Sequence, residues 1–507
     1  MEQETLGTFL DKTKLDLFSK DELILRYHIV TDELTRVIKE NYHLRDQKIS
    51  DEQLNLLIQE QLGELRQAMF GTSSERYKKP EEKKKNSEPP KPRVKKPSER
   101  YPNIPVREQI IAMNPAPNCT ACGLVTTDSG MTEDSEQLTV IPKKYEITKF
   151  MRTIYRCSCH ACLITAPAPA RIIEGSSYSD EMIQDVVLSK YCDLIPVERY
   201  AAMAARGGLM NLPPQSLIAL THKFADFIKI VYQLIKSGVM AYRVLQADET
   251  RHNMLEGSGG KSWYLWGFST PALCFLECHD TRSGDVASEI LLHSKCEVLL
   301  TDVYSGYGKA TKVVNKSRLL KSQIPIENAF CNGHSRRYFF KPRLLYPEAL
   351  FYLDHYHQIY QLNSDSKGRP PDQVLQLRAQ MKPHFEAMKQ KAMEELPSYP
   401  AQNKYRKALY YFLENYDGLT LFLDQADVPI DNNSQERLLR SYVVGRKTWY
   451  GTHSERGAET AAILFSIVET CKLNGVNPRE YLKILVQDLL AGKKPYTPKD
   501  FKDFQVS

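Results

Sequence analysis

From residue 241 the sequence changes character, and this change constrains the fold more than any other feature of the chain. Tyr242–Asp248, Ser262–Ser269, Ala272–Cys278 and Glu297–Asp302 are short runs rich in β-branched and aromatic residues, bounded by turn formers. Such runs read as strands. Between them, Val286–Leu292 reads as a helix. The flanking sequence is helical in pattern, over 178–240 before and over 341–428, Asn433–Val443 and Ala458–Leu473 after. The last of these stops at Asn474-Gly475 with Pro478 beyond, a helix-end signature. Strands interleaved with helices predict an α/β core with helical neighbours.

At 507 residues the chain has room for several domains. Residues 1–76 form a helical N-terminal region in which Leu54, Ile58, Leu62, Leu65 and Met69 stripe one face, suited to dimerisation or to packing within its own domain. Residues 77–104, rich in Lys, Pro, Glu and Ser, read as a disordered linker. Two cysteine clusters, separated by the strand-like Tyr145–Arg156, mark a module over 105–172. The helical stretch 173–240 contains Pro196–Arg206, Gly207-Gly208 and Pro214–Lys223, which fit a helix-turn-helix or a plain packed pair. The strand-rich core covers 241–340 and resumes over 429–475, separated by helical 341–428 and followed by a helical tail over 476–507.

Net charge is only +6, but Lys78–Arg100 is densely basic. Lys83, Lys84, Lys85, Lys95 and Lys96 suit a phosphate-binding arm, and equally a solvated spacer. The N-terminus does not resemble a signal peptide, and no apolar run is long enough to span a bilayer. A reducing cytoplasm is therefore expected, with no membrane partner, and there clustered cysteines bind metal rather than pair. Cys119 and Cys122 supply half of a tetrahedral zinc site. The run Cys157-Ser158-Cys159-His160-Ala161-Cys162 supplies the other half, as either Cys157 with His160 or Cys159 with Cys162.

The second chemical constellation is acidic. Asp248 and Asp302 each close a predicted strand, where a carboxylate at the rim of a sheet can reach metal and phosphate. Two Mg2+ (or Mn2+) ions about 4 Å apart stabilise both oxygens of a displacement at phosphorus and require several carboxylates. Glu436 falls in the first turn of a predicted helix, with Arg440 one turn later on the same face. A competing reading makes Asn433 the N-cap and Glu436 the reciprocal residue of a capping box. Gly445-Arg446-Lys447-Thr448-Trp449-Tyr450 adds basic and aromatic groups suited to DNA. Cys331-Asn332-Gly333-His334-Ser335-Arg336-Arg337 has the spacing of half a metal site but no evident partner pair, which favours a structural role.

These residues resemble the IS sixty-six family of bacterial insertion-sequence transposases over nearly everything after Glu64. The resemblance runs through Met69-Phe70-Gly71, the cysteine knuckles, Ala166-Pro167-Ala168-Pro169, Asp248-Glu249-Thr250, Gly267, Thr301-Asp302 with Gly306-Tyr307, and Cys331, His334, Arg336 and Arg337. It is most specific over Val428–Asn433, Glu436-Arg437, Arg440 and Gly445-Arg446-Lys447. It implies a ribonuclease-H-like catalytic core whose Asp-Asp-Glu triad maps onto Asp248, Asp302 and Glu436. It implies a helical insertion over 341–428 and a zinc-binding module, in which counting back from Ala166 favours Cys157 and His160 over Cys159 and Cys162 as the second pair. Arg336, Arg337, Arg437, Arg440, Arg446 and Lys447 become candidate DNA contacts. The implied activity is metal-assisted cleavage of double-stranded DNA at element ends, followed by transfer to target DNA. The implied protein is an oligomer on DNA, near the bacterial nucleoid, with accessory proteins from the same element. Two departures stand out: Thr72-Ser73 replace a basic pair, and Asn363 stands where the family often carries Glu. A repurposed DNA-binding protein and a structure-specific nuclease are the competing functions.

Overall fold

The computed structural model describes Arg36 and residues 96–102, 104–111, 114, 116–118, 120–127, 135–141, 143–156, 162–256 and 262–504, with side chains described through Phe501. The basic residues Lys83, Lys84, Lys85 and Lys95, and the N-terminal stripe from Leu54 to Met69, lie outside the described residues, as do Cys119, Cys157, Cys159 and His160. The chain forms two compact units, one made of residues 76–150 with 206–209 and the other of the remainder.

In the small unit a helical turn, Pro97–Arg100, is held to Glu136 by Ser98, whose amide and hydroxyl each donate at 2.9 Å. Asn118 and Val125 form an antiparallel bridge around the turn that carries the exposed Cys122. In the large unit, only Ile154–Arg156 of the predicted strand Tyr145–Arg156 pairs, as β1, with β2 (Leu163–Thr165). Cys162, the last residue of the second cysteine cluster, is exposed just before β2.

Four helices follow: α1 (Asp180–Tyr191), α2 (Val197–Arg206), α3 (Pro214–Phe227) and α4 (Lys229–Met240). They lead into a mixed five-stranded sheet of order β5-β4-β3-β6-β7. Strands β3 (Val244–His252), β4 (Trp263–Ser269) and β5 (Cys274–His279) form an antiparallel meander. Helix α5 (Gly284–Leu292) then crosses to β6 (Val298–Thr301), and α6 (Ser305–Leu320) crosses to β7 (Glu327–Phe330), both strands running parallel to β3. Val244 to Ala247 and all of β6 are buried without alternation, as expected of strands covered on both faces. Strand β7 went unpredicted because only Ala329 of its four residues is buried, so it carries no apolar pattern.

After β7 come α7 (Asn332–Phe340) and a helical segment of α8 (Ala349–Asp365), α9 (Pro371–Glu395), α10 (Lys404–Glu414) and α11 (Tyr416–Thr420). Its core is aromatic. Phe339 stacks on Tyr352 at 4.2 Å, and the hydroxyls of Tyr352 and Tyr405 both donate to Glu395, at 2.9 and 2.6 Å. The chain then returns to the sheet through α12 (Asn433–Trp449), α13 (Glu455–Leu473) and α14 (Pro478–Leu490).

Helix α13 is buried nearly all round from Ala458 to Cys471 and covers the outer edge of β5. The edge amides of Leu276 and Cys274 donate to the hydroxyls of Ser466 (2.9 Å) and Thr470 (3.1 Å). Each hydroxyl also donates to a carbonyl one turn back, at 2.7 Å. Side chains thus satisfy an edge that would otherwise be open to pairing. The architecture is α/β with a helical majority and a mixed sheet.

Candidate active site

Two aspartates meet at the centre of the sheet because of strand register. The parallel ladder pairs Val244 with Val298 and Gln246 with Leu300, so Asp248 and Asp302 stand level two residues further on. Asp302 follows the last residue of β6, as expected, and its Oδ1 accepts the Tyr304 amide at 3.0 Å. Asp248 does not end its strand. Strand β3 continues to His252, because residues 248–252 pair with Trp263–Gly267 of β4. Asp248 is the first residue beyond the fully buried run, and it is half-buried. Burial and the charges of Glu249, Asp302 and Glu436 push its carboxyl up to about 8. Carboxylates from two other segments, Asp302 and Glu436, therefore act on Asp248 electrostatically.

Helix α12 brings Glu436. Asn432, just before the helix, donates through Nδ2 to the Ala247 carbonyl at 2.8 Å, and the Ser434 hydroxyl donates to the Gln246 side chain. These contacts seat the first turn of α12 over β3 beside Asp248. The approach is close because Gly267, paired with Asp248, has no side chain. A Cβ there would collide with the Gln435 side chain and lie 3.2 Å from Leu439 Cδ2. Gly267→Ala is expected to destabilise the fold by about 1–3 kcal/mol and to shift Glu436. A melting temperature within one degree of the parent, with unchanged activity, would show that the helix tolerates the methyl.

The capping-box reading of Glu436 fails. The N-cap is Asn432, not Asn433, and it makes no side-chain cap bond. Instead Glu436 Oε1 lies 3.8 Å from His334 Nδ1, and both atoms are buried without a hydrogen-bond partner. Cys331, His334 and Glu436 each offer a ligand atom, and among the described residues these form the group of three that lies within 4.8 Å. The partner that the sequence around Cys331 lacked comes from α12.

Glu249 was not singled out from the sequence, although it adjoins Asp248. Adjacent strand residues face opposite ways, and Glu249 is almost fully buried, its side chain only 2% exposed. It accepts from Tyr307 Oη at 2.6 Å and from Arg282 Nε at 2.8 Å and Nη2 at 2.6 Å. The guanidinium of Arg282 lies 4.0 Å from the Tyr304 ring centre. The Asp-Glu dipeptide was the available signal, since a strand crossing a sheet sends one carboxylate to each face.

Helix α12 extends past the predicted Val443 to Trp449, so Gly445-Arg446-Lys447 lies within it. Gly445 is tolerated because the Trp449 side chain packs against it. Arg437, Arg440, Val444 and Lys447, spaced three and four apart, form an exposed stripe. Arg446 Nη1 reaches Thr250 Oγ1 at 3.5 Å. Trp449 is not available for base stacking: it packs against Phe465 and Tyr191, with Lys190 Nζ 4.2 Å from its ring centre. Tyr450 is the exposed aromatic there. Arg336 and Arg337 lie half-buried on α7, and Lys96 is exposed in the small unit. His252, bonded to Tyr442 and Thr452, is pushed down to about 4 by burial and by Arg446.

The sequence model of the family described as "Transposase IS66 family" matches residues 175–460, more than half of the chain. The chain is also similar to "Uncharacterized protein y4hP" of Sinorhizobium fredii (strain NBRC 101917 / NGR234), with 23% identity over 414 residues covering 77% of this chain and 73% of the relative. It is 27% identical over 392 residues to "Uncharacterized protein y4jD" of the same organism, covering 74% of this chain and 75% of the relative. No helix among the described residues is long and apolar enough to cross a membrane.

Proposed function

Because the chain belongs to the IS66 transposase family, we propose that it is a DNA transposase that binds element ends and catalyses metal-dependent strand cleavage and strand transfer. The observation that carries this reading is the placement of the first turn of α12, which holds Glu436, over β3 beside Asp248, with Asp302 just past the end of β6, the neighbouring parallel strand. The strand order, an antiparallel meander extended by two parallel strands, supports a ribonuclease-H-like core. On this reading α8 to α11 are its helical insertion.

Asp248, Asp302 and Glu436 are the residues that would hold two Mg2+ or Mn2+ ions. Their donor atoms are all oxygens, which suits a hard cation, and Glu436 Oε1 is buried without a partner. Bound ions would stabilise charge on the attacking and leaving oxygens at phosphorus. The chain itself does the positioning. Strands β3 and β6 fix the two aspartates by register, and α12 presents Glu436 above them. The exposed stripe of Arg437, Arg440 and Lys447 offers cations to the DNA backbone, flanked by Arg336, Arg337 and Arg446. Lys83, Lys84, Lys85, Lys95 and Lys96 would add sequence-independent attraction. His252, neutral at pH 7, supports the fold and not proton transfer. Two ends must be brought together, so a homo-oligomer on DNA is the working form, acting at the bacterial nucleoid with accessory proteins of the same element.

Zinc completes the reading. Cys119 and Cys122 with Cys157 and His160, or with Cys159 and Cys162, would hold one structural ion. Cys119→Ser or Cys122→Ser is expected to lower zinc content by one ion per chain and to weaken end binding. Equal zinc in parent and variant, measured by elemental analysis, would remove this site.

The decisive experiment offers the protein labelled end-sequence DNA, target DNA and Mg2+. Cleavage followed by joining is expected. Binding alone would identify a repurposed DNA-binding protein, and cutting without joining a nuclease.

A further inference from the structure

Cys331 immediately precedes α7 and His334 lies three residues later, so the first helical turn sets both side chains on one side. Glu436 arrives from the first turn of α12. The two helix starts are locked together. The Asn332 amide donates to Ile430 O at 3.2 Å, and Asn332 Nδ2 donates to Ile430 O at 3.1 Å and to Leu419 O at 2.9 Å. Cys331 is fully buried, and its Sγ accepts the Asn432 amide at 3.2 Å. His334 Nδ1 and Glu436 Oε1 are buried, 3.8 Å apart, and lack hydrogen-bond partners. Native proteins rarely leave such atoms unpaired.

We propose that Cys331, His334 and Glu436 form a binding site for one borderline divalent ion, Zn2+ being the best match. One sulfur, one nitrogen and one oxygen leave a fourth tetrahedral position open to water or substrate, a donor set that zinc accepts and magnesium does not. Ligand atoms around zinc stand roughly 3.5 Å apart, so small side-chain rotations from the present spacing, all within 4.8 Å, close the site. Loading exchanges the Cys331 thiol proton, released to solvent, for a metal–sulfur bond. The site stands on these three side chains and shares only Glu436 with the proposed transposase centre.

The test is metal stoichiometry on the full chain, demetallated, reloaded with Zn2+ or Co2+ and cleared of free ion. His334→Gln and Cys331→Ser should each bind one ion fewer than the parent, with loss of the matching cobalt–thiolate absorption. Glu436→Gln should bind that ion at least tenfold more weakly. Asp248→Asn and Cys119→Ser should keep it, which separates this site from the carboxylate pair and from the cysteine knuckles. If Cys331→Ser does not fold by circular dichroism, His334→Gln decides. Equal stoichiometry in parent and His334→Gln, or loss of the same ion in Asp248→Asn, overturns the proposal. A chain that never cuts DNA would leave this count unchanged, so the two proposals fail separately.

Discussion

Asp248→Asn is expected to abolish strand cleavage, by at least about a thousandfold or ~4 kcal/mol of transition-state stabilisation, while leaving end-DNA binding within a few-fold of the parent. The amide keeps the shape of the carboxylate but not the charge that would hold a metal. The same substitution makes a second prediction of opposite sign. In metal-free protein, burial and the charges of Glu249, Asp302 and Glu436 keep Asp248 protonated up to about 8, against an ordinary value of 3.8. The folded state therefore holds a proton that the unfolded chain has released. That contribution to stability is complete at low pH and is lost as pH rises from about 4 to about 8. Asn carries no such proton, so at pH 8 the metal-free variant should melt above the metal-free parent, by about 2–4 °C for each kcal/mol regained. Metal binding must displace the proton, so the parent's Mg2+ affinity should climb with pH until about 8. Cleavage within a few-fold of the parent would reject Asp248 as a ligand, and a variant that melts lower at pH 8 would reject the crowding.

Glu436→Gln should give folded, DNA-binding protein with cleavage and strand transfer lost by at least about a hundredfold, or ~2.7 kcal/mol. Activity separates this from a capping role, because Gln can still serve in a capping box but is a poor ligand for magnesium. The third residue of α12, where a capping-box acid belongs, is Gln435 and not Glu436. The Glu436 amide makes an ordinary helical bond to Asn432 O at 3.1 Å. The melting temperature should therefore stay close to that of the parent. Normal cleavage by the variant would place the third ligand elsewhere. Downstream, Glu459 is already paired with Lys229 at 2.6 Å and Glu469 with Lys472 at 2.8 Å.

The strands that were legible in the sequence are those with dense apolar or aromatic runs. Strands β3 to β6 and helices α5, α12 and α13 lie within a few residues of their predicted positions. Strand β7 was not legible, because an edge strand whose only buried residue is Ala329 leaves no periodic trace. Strand β3 runs past Asp248, where its apolar pattern ends, because pairing to Trp263–Gly267 prolongs it, and pairing is a property of two segments. Helix α12 outran its prediction because Gly445, a weak helix former, is packed under Trp449.

By itself the sequence determined the positions of strands β3 to β6, the acidic candidates Asp248, Asp302 and Glu436, and the Cys331–His334 spacing, since each is local or depends on residue type alone. Only the tertiary structure decided which of them meet. Parallel register sets Asp248 level with Asp302, a glycine at 267 lets α12 descend onto β3, and that descent brings Glu436 to His334. These relations join segments far apart in the chain, and no local pattern encodes them, because only the packing of the sheet against its helices fixes the distances.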